Sequence, residues 1–313
     1  MRPAELVRES AACLVAHGVE SPHRTAEALL VHILGTDRAG LYARREDIDT
    51  ATAGLFEDAI RRRCNGTPLQ YLTGEQQFMD LLLTVRPGVF IPRPETEVLA
   101  GAALEVLTVE RSPVVVDVGT GSGALALAVK RWRPDARVLA TDISAEAVDL
   151  ARWNASRLGL EVELSHGDLL EPLPPALQGT VDLIVSNPPY VTAEEYRSLP
   201  EEVRAEPPAA LLGGVEFHRR LLRDAPEWLR PGGWLAVEIG AEQGMEVRTL
   251  FERSLRDVEI LQDLARRDRV VRGVQGVSTP RATRADADPR RRAVRRRRIA
   301  DGQEGVQGGR KLE

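Results

Sequence analysis

The stretch Val185-Ser186-Asn187-Pro188-Pro189-Tyr190-Val191 follows the apolar run VDLIV and makes a poor strand and a poor helix. Proline has no N–H and holds φ near −65°, so two in succession make a stiff loop. Asn187 offers an amide carbonyl oxygen, and the backbone carbonyl of Pro188 offers a second acceptor. Two neighbouring acceptors can hold both hydrogens of a planar NH2 group. That grip turns the nitrogen lone pair toward an electrophile. Tyr190 adds a flat wall and a polar tip. The chemistry expected is group transfer to an amino group on an sp2 carbon. Asn187, Pro188 and Tyr190 are the candidate catalytic residues, with Pro189 completing the substrate contact. A nitrogen of this kind needs positioning more than acid–base help, and positioning can supply roughly 7–11 kcal/mol.

A second cluster could hold the other reactant. Gly119-Thr120-Gly121-Ser122-Gly123 closes the strand-like run VVVDV and opens the helical run ALALAVKRW. Glycines at alternate positions let the backbone turn tightly and approach a ligand. Asp142 lies 19 residues beyond Gly123, at the end of the next apolar run, where a carboxylate can accept both hydroxyls of a ribose. The spacing is GxGxG, whereas dinucleotide sites carry GxGxxG. With Asp117 before it, this form resembles the S-adenosylmethionine (SAM) site of class I methyltransferases. NAD is the alternative ligand, and a turn serving only helix–strand packing the bland one. Asp168, in HGDLL, is placed to accept from an adenine amino group with Leu169 packing on the ring. The competing reading of Asp168 is a turn cap.

These residues need elements to position them. Residues 1 to 75 carry apolar residues at helical spacing in LVRESAACLVAHG, RTAEALLVHILG and TAGLFEDAIRRRCNG, with Ser21-Pro22 and Asp49-Thr50 as helix starts. They predict a small helical bundle. Residues 76–111 form a linker, with a hairpin in its first half and the stiff PRPETE segment leading into a helix. Residues 112–273 alternate strands and helices, predicting a Rossmann-like, doubly wound, mostly parallel sheet with ligands beyond the strands' carboxyl ends. Residues 274–313, centred on RRRAVRRRR, lack an apolar face and are expected to be a disordered tail.

No apolar run approaches the ~20 residues of a membrane span, and the start MRPAELVRES has no signal-like core. A cytoplasmic protein is expected. Cys13 and Cys64 make no disulfide framework, and no Cys or His pair has zinc-ligand spacing, so no metal is expected. From Val274 onward eleven Lys/Arg face five Asp/Glu, leaving 31 basic and 42 acidic residues in the body. An acidic body argues against gripping a nucleic-acid backbone, leaving the Arg-rich tail as the only candidate for weak contact.

The combination YLTGEQQF, FIPRPETEVL, VVDVGTGSGALALA, NPPYV and DLARRDRVVRG resembles the release factor glutamine methyltransferase family (PrmC/HemK) over residues 1 to about 273. The resemblance implies transfer of a methyl group from SAM to the side-chain N5 of the glutamine in the Gly-Gly-Gln motif of peptide chain release factors, with S-adenosylhomocysteine as product. It assigns Gly119, Thr120, Gly121, Ser122, Gly123, Asp142, Asp168, Leu169 and Asn187 to SAM. It assigns Asn187, Pro188, Pro189 and Tyr190 to the substrate glutamine. Leu169 stands where the family often has an aromatic residue. EPPAALLGGVEFH is expected to be a variant loop beside the site. Arg93, Glu95, Thr96 and Glu97 either line the substrate channel or cap a helix. The alternative activity is N6-adenine or N2-guanine methylation of DNA or RNA, since such enzymes share GxGxG and NPPY. A non-catalytic SAM-binding adaptor is the third reading.

Overall fold

The computed structural model describes residues 1–109 and 111–276. The chain opens with helices α1 (Pro3–Ala16), α2 (Pro22–Leu34), α3 (Arg38–Ala43), α4 (Thr50–Cys64) and α5 (Leu69–Thr73). Their apolar stripes meet in one core of Val7, Leu14, Leu29, Leu30 and Phe56. Asp49 caps α4 by accepting from the Thr52 N–H at 2.9 Å. Ser21 precedes α2 in a left-handed conformation and makes no such bond.

A hairpin follows, β1 (Glu75–Phe78) paired with β2 (Leu81–Thr84), and then helix α6 (Thr96–Val106). The wound region comprises β3 (Val114–Val118), α7 (Ala124–Trp132), β4 (Arg137–Asp142), α8 (Ala145–Leu158), β5 (Glu163–His166) and β6 (Val181–Ser186). It continues through α9 (Ala193–Ser198), α10 (Glu201–Arg204), α11 (Pro208–Leu211), α12 (Glu216–Trp228), β7 (Leu229–Glu238), α13 (Gly244–Phe251), β8 (Arg256–Gln262) and β9 (Asp268–Val274).

β3 to β9 form one seven-stranded sheet in the order β5-β4-β3-β6-β7-β9-β8. β3 to β7 run parallel; β9 is antiparallel to both β7 and β8. The central parallel strands β3 and β6 are apolar on both sides because helices cover both faces. Val115 and Leu183 face one core, Val116 and Ile184 the other. The chain winds from β3 outward to β5, then crosses back to β6. The carboxyl ends of β3 and β6 therefore splay their loops apart at a switch point, which opens a crevice there.

The hairpin is bolted to this crevice by Asn154 of α8, which has no exposed surface. Its side chain accepts from the Thr84 N–H at 2.8 Å and donates to the Thr84 and Ser122 carbonyls at 3.0 and 2.9 Å. One buried amide thus ties the linker to the glycine turn. The expected end of the ordered body at 273 shifts slightly. Val274 still pairs with Trp234, and the Gln275 N–H donates to the Gly233 carbonyl at 2.8 Å. The Arg-rich stretch from 277 onward lies outside the described residues. Among the described residues no helix is long and apolar enough to cross a membrane.

Candidate active site

A cavity of about 920 Å³ lies at the carboxyl ends of β3, β4 and β6, and Gly119, Thr120, Gly121, Ser122, Asp142, Asp168, Leu169, Asn187 and Pro189 all line it. Gly119 and Gly121 have φ of +74° and +57°, where L side chains are strained, and a Cβ on either would project into open space. Gly123 is different: its Cβ would press on Leu127 and Ala151, so it serves helix packing. Asp142 is held from behind. Its Oδ2 accepts from the Gly121 N–H at 2.8 Å and its Oδ1 from the Ser144 N–H at 2.9 Å. Each oxygen keeps a second lone pair for a ligand hydroxyl. Burial raises the Asp142 carboxyl, and the two N–H groups pull it back. Bare glycine backbone, open space above it and a fixed carboxylate fit a ribose-bearing cofactor such as SAM.

Asp117 sits beneath the turn, fully buried. Its Oδ2 accepts from the Thr120 hydroxyl at 2.6 Å and the Ala126 N–H at 3.1 Å, and burial pushes its carboxyl up to about 7. It shapes the turn from below. Asp168 does line the cavity but is ion-paired with Arg220 of α12, a partner that spacing alone did not foresee. Leu169 has φ +47° and its carbonyl accepts from the Thr141 hydroxyl at 2.7 Å. A branched side chain is thus held in a costly conformation at the cavity wall.

On the opposite wall the proline loop meets helix α6. Asn187 Nδ2 donates to the Thr96 hydroxyl at 3.0 Å. The Glu238 carboxylate at the end of β7 is buried beside them, and among the described residues its Oε2 takes no hydrogen bond. The Tyr190 hydroxyl donates to Glu238 Oε1 at 3.1 Å. Thr96 Oγ1 takes one hydrogen of the Asn187 amide, so the amide presents Oδ1 away from it. Among the described residues neither Asn187 Oδ1 nor the Pro188 carbonyl takes a hydrogen bond. Both acceptors of the motif stay open. The polar tip of Tyr190, by contrast, is used inward on Glu238.

Sequence reasoning missed Glu238, which reads as an ordinary strand residue in WLAVE. It also missed Glu206 and Gly213. Glu206 is buried, accepts from the Ile91 N–H at 2.9 Å and pairs with Arg93, locking the PRPETE segment to the loop before α11. Arg93 also stacks over Phe90, 5.0 Å from the ring centroid. Glu97 accepts from the Met79 N–H at 2.7 Å, so it fastens the hairpin turn to α6. EPPAALLGGVEFH is not one variant loop. It contains α11, a sharp glycine corner and the start of α12, with Phe217 on the cavity wall.

Burial pushes the Glu238 carboxyl up to about 7, against the Thr96 and Tyr190 hydroxyls and the Arg269 charge; Glu95 adds a smaller upward push. Ionised Glu238 makes the stronger, charge-assisted hydrogen bond with the Tyr190 hydroxyl and so holds the proline loop that carries Asn187. The rate of the reaction is therefore expected to fall about tenfold below this pKa, and Glu238→Gln to flatten that limb of the pH–kcat profile. The folded pKa lies above the ordinary 4.5, so the stabilising effect is complete below 4.5 and lost as pH rises through about 7. The ionisation costs about 3 kcal/mol. Thermal unfolding of Glu238→Gln should accordingly be less pH-sensitive between pH 4.5 and about 7 than that of the parent. An unchanged kcat profile in the variant would remove Glu238 from the network.

Comparison with known proteins places this geometry. The PrmC N-terminal domain matches residues 5–74 and the Methyltransferase small domain residues 81–266. A release factor glutamine methyltransferase of Moorella thermoacetica is 46% identical over 265 residues, covering 82% of this chain and 92% of that one. One from Chlorobaculum tepidum is 39% identical over 277 residues, covering 85% and 94%. Among solved structures, the hMettl16 catalytic domain in complex with MAT2A 3'UTR hairpin 6 aligns with TM-score 0.52 at 13% identity, covering 71% of this chain and 83% of that one. That likeness concerns the fold alone. With both of its regions matched and relatives of this identity along most of its length, the chain belongs to the release factor glutamine methyltransferase family.

Proposed function

We propose that this chain transfers the methyl group of SAM to the side-chain amide nitrogen of glutamine in the Gly-Gly-Gln motif of peptide chain release factors. The names of its relatives support this substrate. The observation that carries the chemistry is the pair of open acceptors, Asn187 Oδ1 and the neighbouring Pro188 carbonyl, with Asn187 itself on the cavity wall. Bound in the cavity, SAM supplies an electrophilic methyl on a sulfonium.

The residues of the chain do the rest. Gly119 and Gly121 leave room for the cofactor, and Asp142 takes its ribose hydroxyls. Asn187 and Pro188 hold the two amide hydrogens, so the nitrogen presents its lone pair along the line of transfer. Amide nitrogen is a weak nucleophile because its lone pair is shared with the carbonyl. Fixing it in line supplies by geometry what basicity does not. The proton lost on methylation leaves along one of these two hydrogen bonds and on to water. The walls of Val89, Phe90, Pro92 and Phe217 keep bulk water from competing. The helical region of residues 1–75 grips the release factor; a chain lacking it that methylates the full-length factor at the parental rate would contradict that part.

The deciding experiment incubates a purified release factor with this protein and SAM and reads peptides by mass spectrometry. A gain of one methyl on the Gly-Gly-Gln peptide, absent with Asn187→Ala, is expected. If the factor is unchanged while SAM binding is confirmed, an exocyclic amine of adenine or guanine in DNA or RNA becomes the substrate to test, since two open acceptors would hold that NH2 equally well.

A further inference from the structure

We propose that Cys13, His17 and Cys64 form a zinc site that clamps the ends of α1 and α4. The sequence hides it, because Cys64 lies 51 residues from Cys13. The fold brings them together at the rim of a cavity of about 400 Å³ that Glu9 and Glu57 also line. One ligand atom from each of the three residues lies within 4.8 Å of the others.

Three features suit a metal. The two sulfurs are 3.7 Å apart. Two thiolates on one tetrahedral zinc, each at about 2.3 Å, stand about 3.8 Å from one another. A disulfide would need about 2.05 Å. Second, His17 Nδ1 lies 2.9 Å from the Cys13 carbonyl oxygen. A carbonyl only accepts, so Nδ1 carries the proton and Nε2 keeps its lone pair for a ligand. Metal-bound histidines are oriented by such a bond from the other ring nitrogen. Third, Cys13 lies in the last turn of α1, His17 follows it directly, and Cys64 ends α4. Two helix C-termini, with their partial negative charge, converge where a cation would sit.

Cysteine thiols ordinarily carry their proton at neutral pH, and only the thiolate ligates a metal. Binding therefore exchanges two thiol protons, released to solvent, for one zinc ion held by two thiolates and a neutral imidazole. The site is then uncharged. Water takes the fourth position. The role is structural, closing the bundle across the 51-residue separation of Cys13 and Cys64.

The test titrates the reduced full-length chain with Co(II), a spectroscopic stand-in for zinc. One equivalent should give the near-ultraviolet sulfur-to-cobalt band and the intense visible bands of tetrahedral coordination. Zinc should bleach them, raise Tm by a few degrees and protect Cys13 and Cys64 from alkylation. Cys13→Ser and Cys64→Ser should each abolish the bands, and His17→Gln should weaken binding at least about tenfold. Circular dichroism of the metal-free variants, unchanged from the parent, would exclude misfolding. A parent that binds no more cobalt than the double serine variant, or that only forms a 13–64 disulfide on oxidation, overturns the proposal.

Discussion

Asn187→Ala is expected to lower kcat by roughly three to five orders of magnitude while leaving SAM affinity within a few-fold. The side chain is half-buried and hydrogen-bonded to Thr96, so its oxygen is fixed before any substrate arrives. Removing it deletes one of two acceptors for the amide hydrogens. The substrate nitrogen then rotates freely, and its lone pair seldom lies along the line of transfer. SAM rests mainly on the glycine turn and Asp142, on the other wall, and should scarcely notice. The release factor keeps its contacts with the rest of the protein, so KM should change much less than kcat. Asn187→Asp retains an oxygen but loses the amide N–H that donates to Thr96, and should fall between parent and alanine. Single-turnover methylation followed by mass spectrometry, with calorimetry for SAM, checks all three. A loss below tenfold in the alanine variant would mean that positioning comes from elsewhere.

The parts of this site that the sequence displays are those written in local backbone chemistry. GxGxG between an apolar run and a helical run dictates a turn with positive φ, and the turn is there at Gly119, Gly121 and Gly123. Asp142 could be placed because one strand's length separates it from the preceding helix. Pro188-Pro189 announces a stiff loop by covalent structure alone. What could not be read is whatever depends on which strands become neighbours. Glu238 reaches Tyr190 across 48 residues, and Thr96 reaches Asn187 across 91. No periodicity encodes either contact. Arg220, which claims Asp168, stands on a helix whose apolar stripe reads only as core packing. β9 shows no strand signal in the sequence because DLARRDRVVRG is rich in charge. Its arginines lie at an outer part of the sheet, where Arg272 pairs with Glu105 and Glu259. Cys13 and Cys64 follow the same rule, as residues unremarkable in the sequence and adjacent in space.

Gly213→Ala should lower kcat about a hundredfold or more, although the residue touches neither reactant. The corner after α11 is laced to the proline loop by backbone alone. The Val191 N–H donates to the Leu211 carbonyl at 2.9 Å, and the Gly213 N–H returns to the Val191 carbonyl at 3.1 Å. This brings Gly213 so close that a Cβ would stand 2.1 Å from the Pro189 carbonyl oxygen and 3.0 Å from its carbon. No rotamer relieves a clash with backbone. Either the corner retreats and loses its two hydrogen bonds, or the Pro189 peptide turns and takes the Pro188 carbonyl and Asn187 with it. Overpacking of this kind costs about 1–3 kcal/mol of stability, and an ångström of misplacement at a reacting group costs about 10² in rate. Gly101→Ala is the control, because it is an exposed helical position whose added Cβ meets nothing within 4 Å. It should be neutral in rate and stabilising by up to about 1 kcal/mol. If Gly213→Ala unfolds with a lowered midpoint but keeps kcat within threefold, the corner supports the fold without aiming the proline loop. If kcat collapses while SAM binding and unfolding stay near those of the parent, the hydrogen-bonded corner is what holds the two acceptors in place.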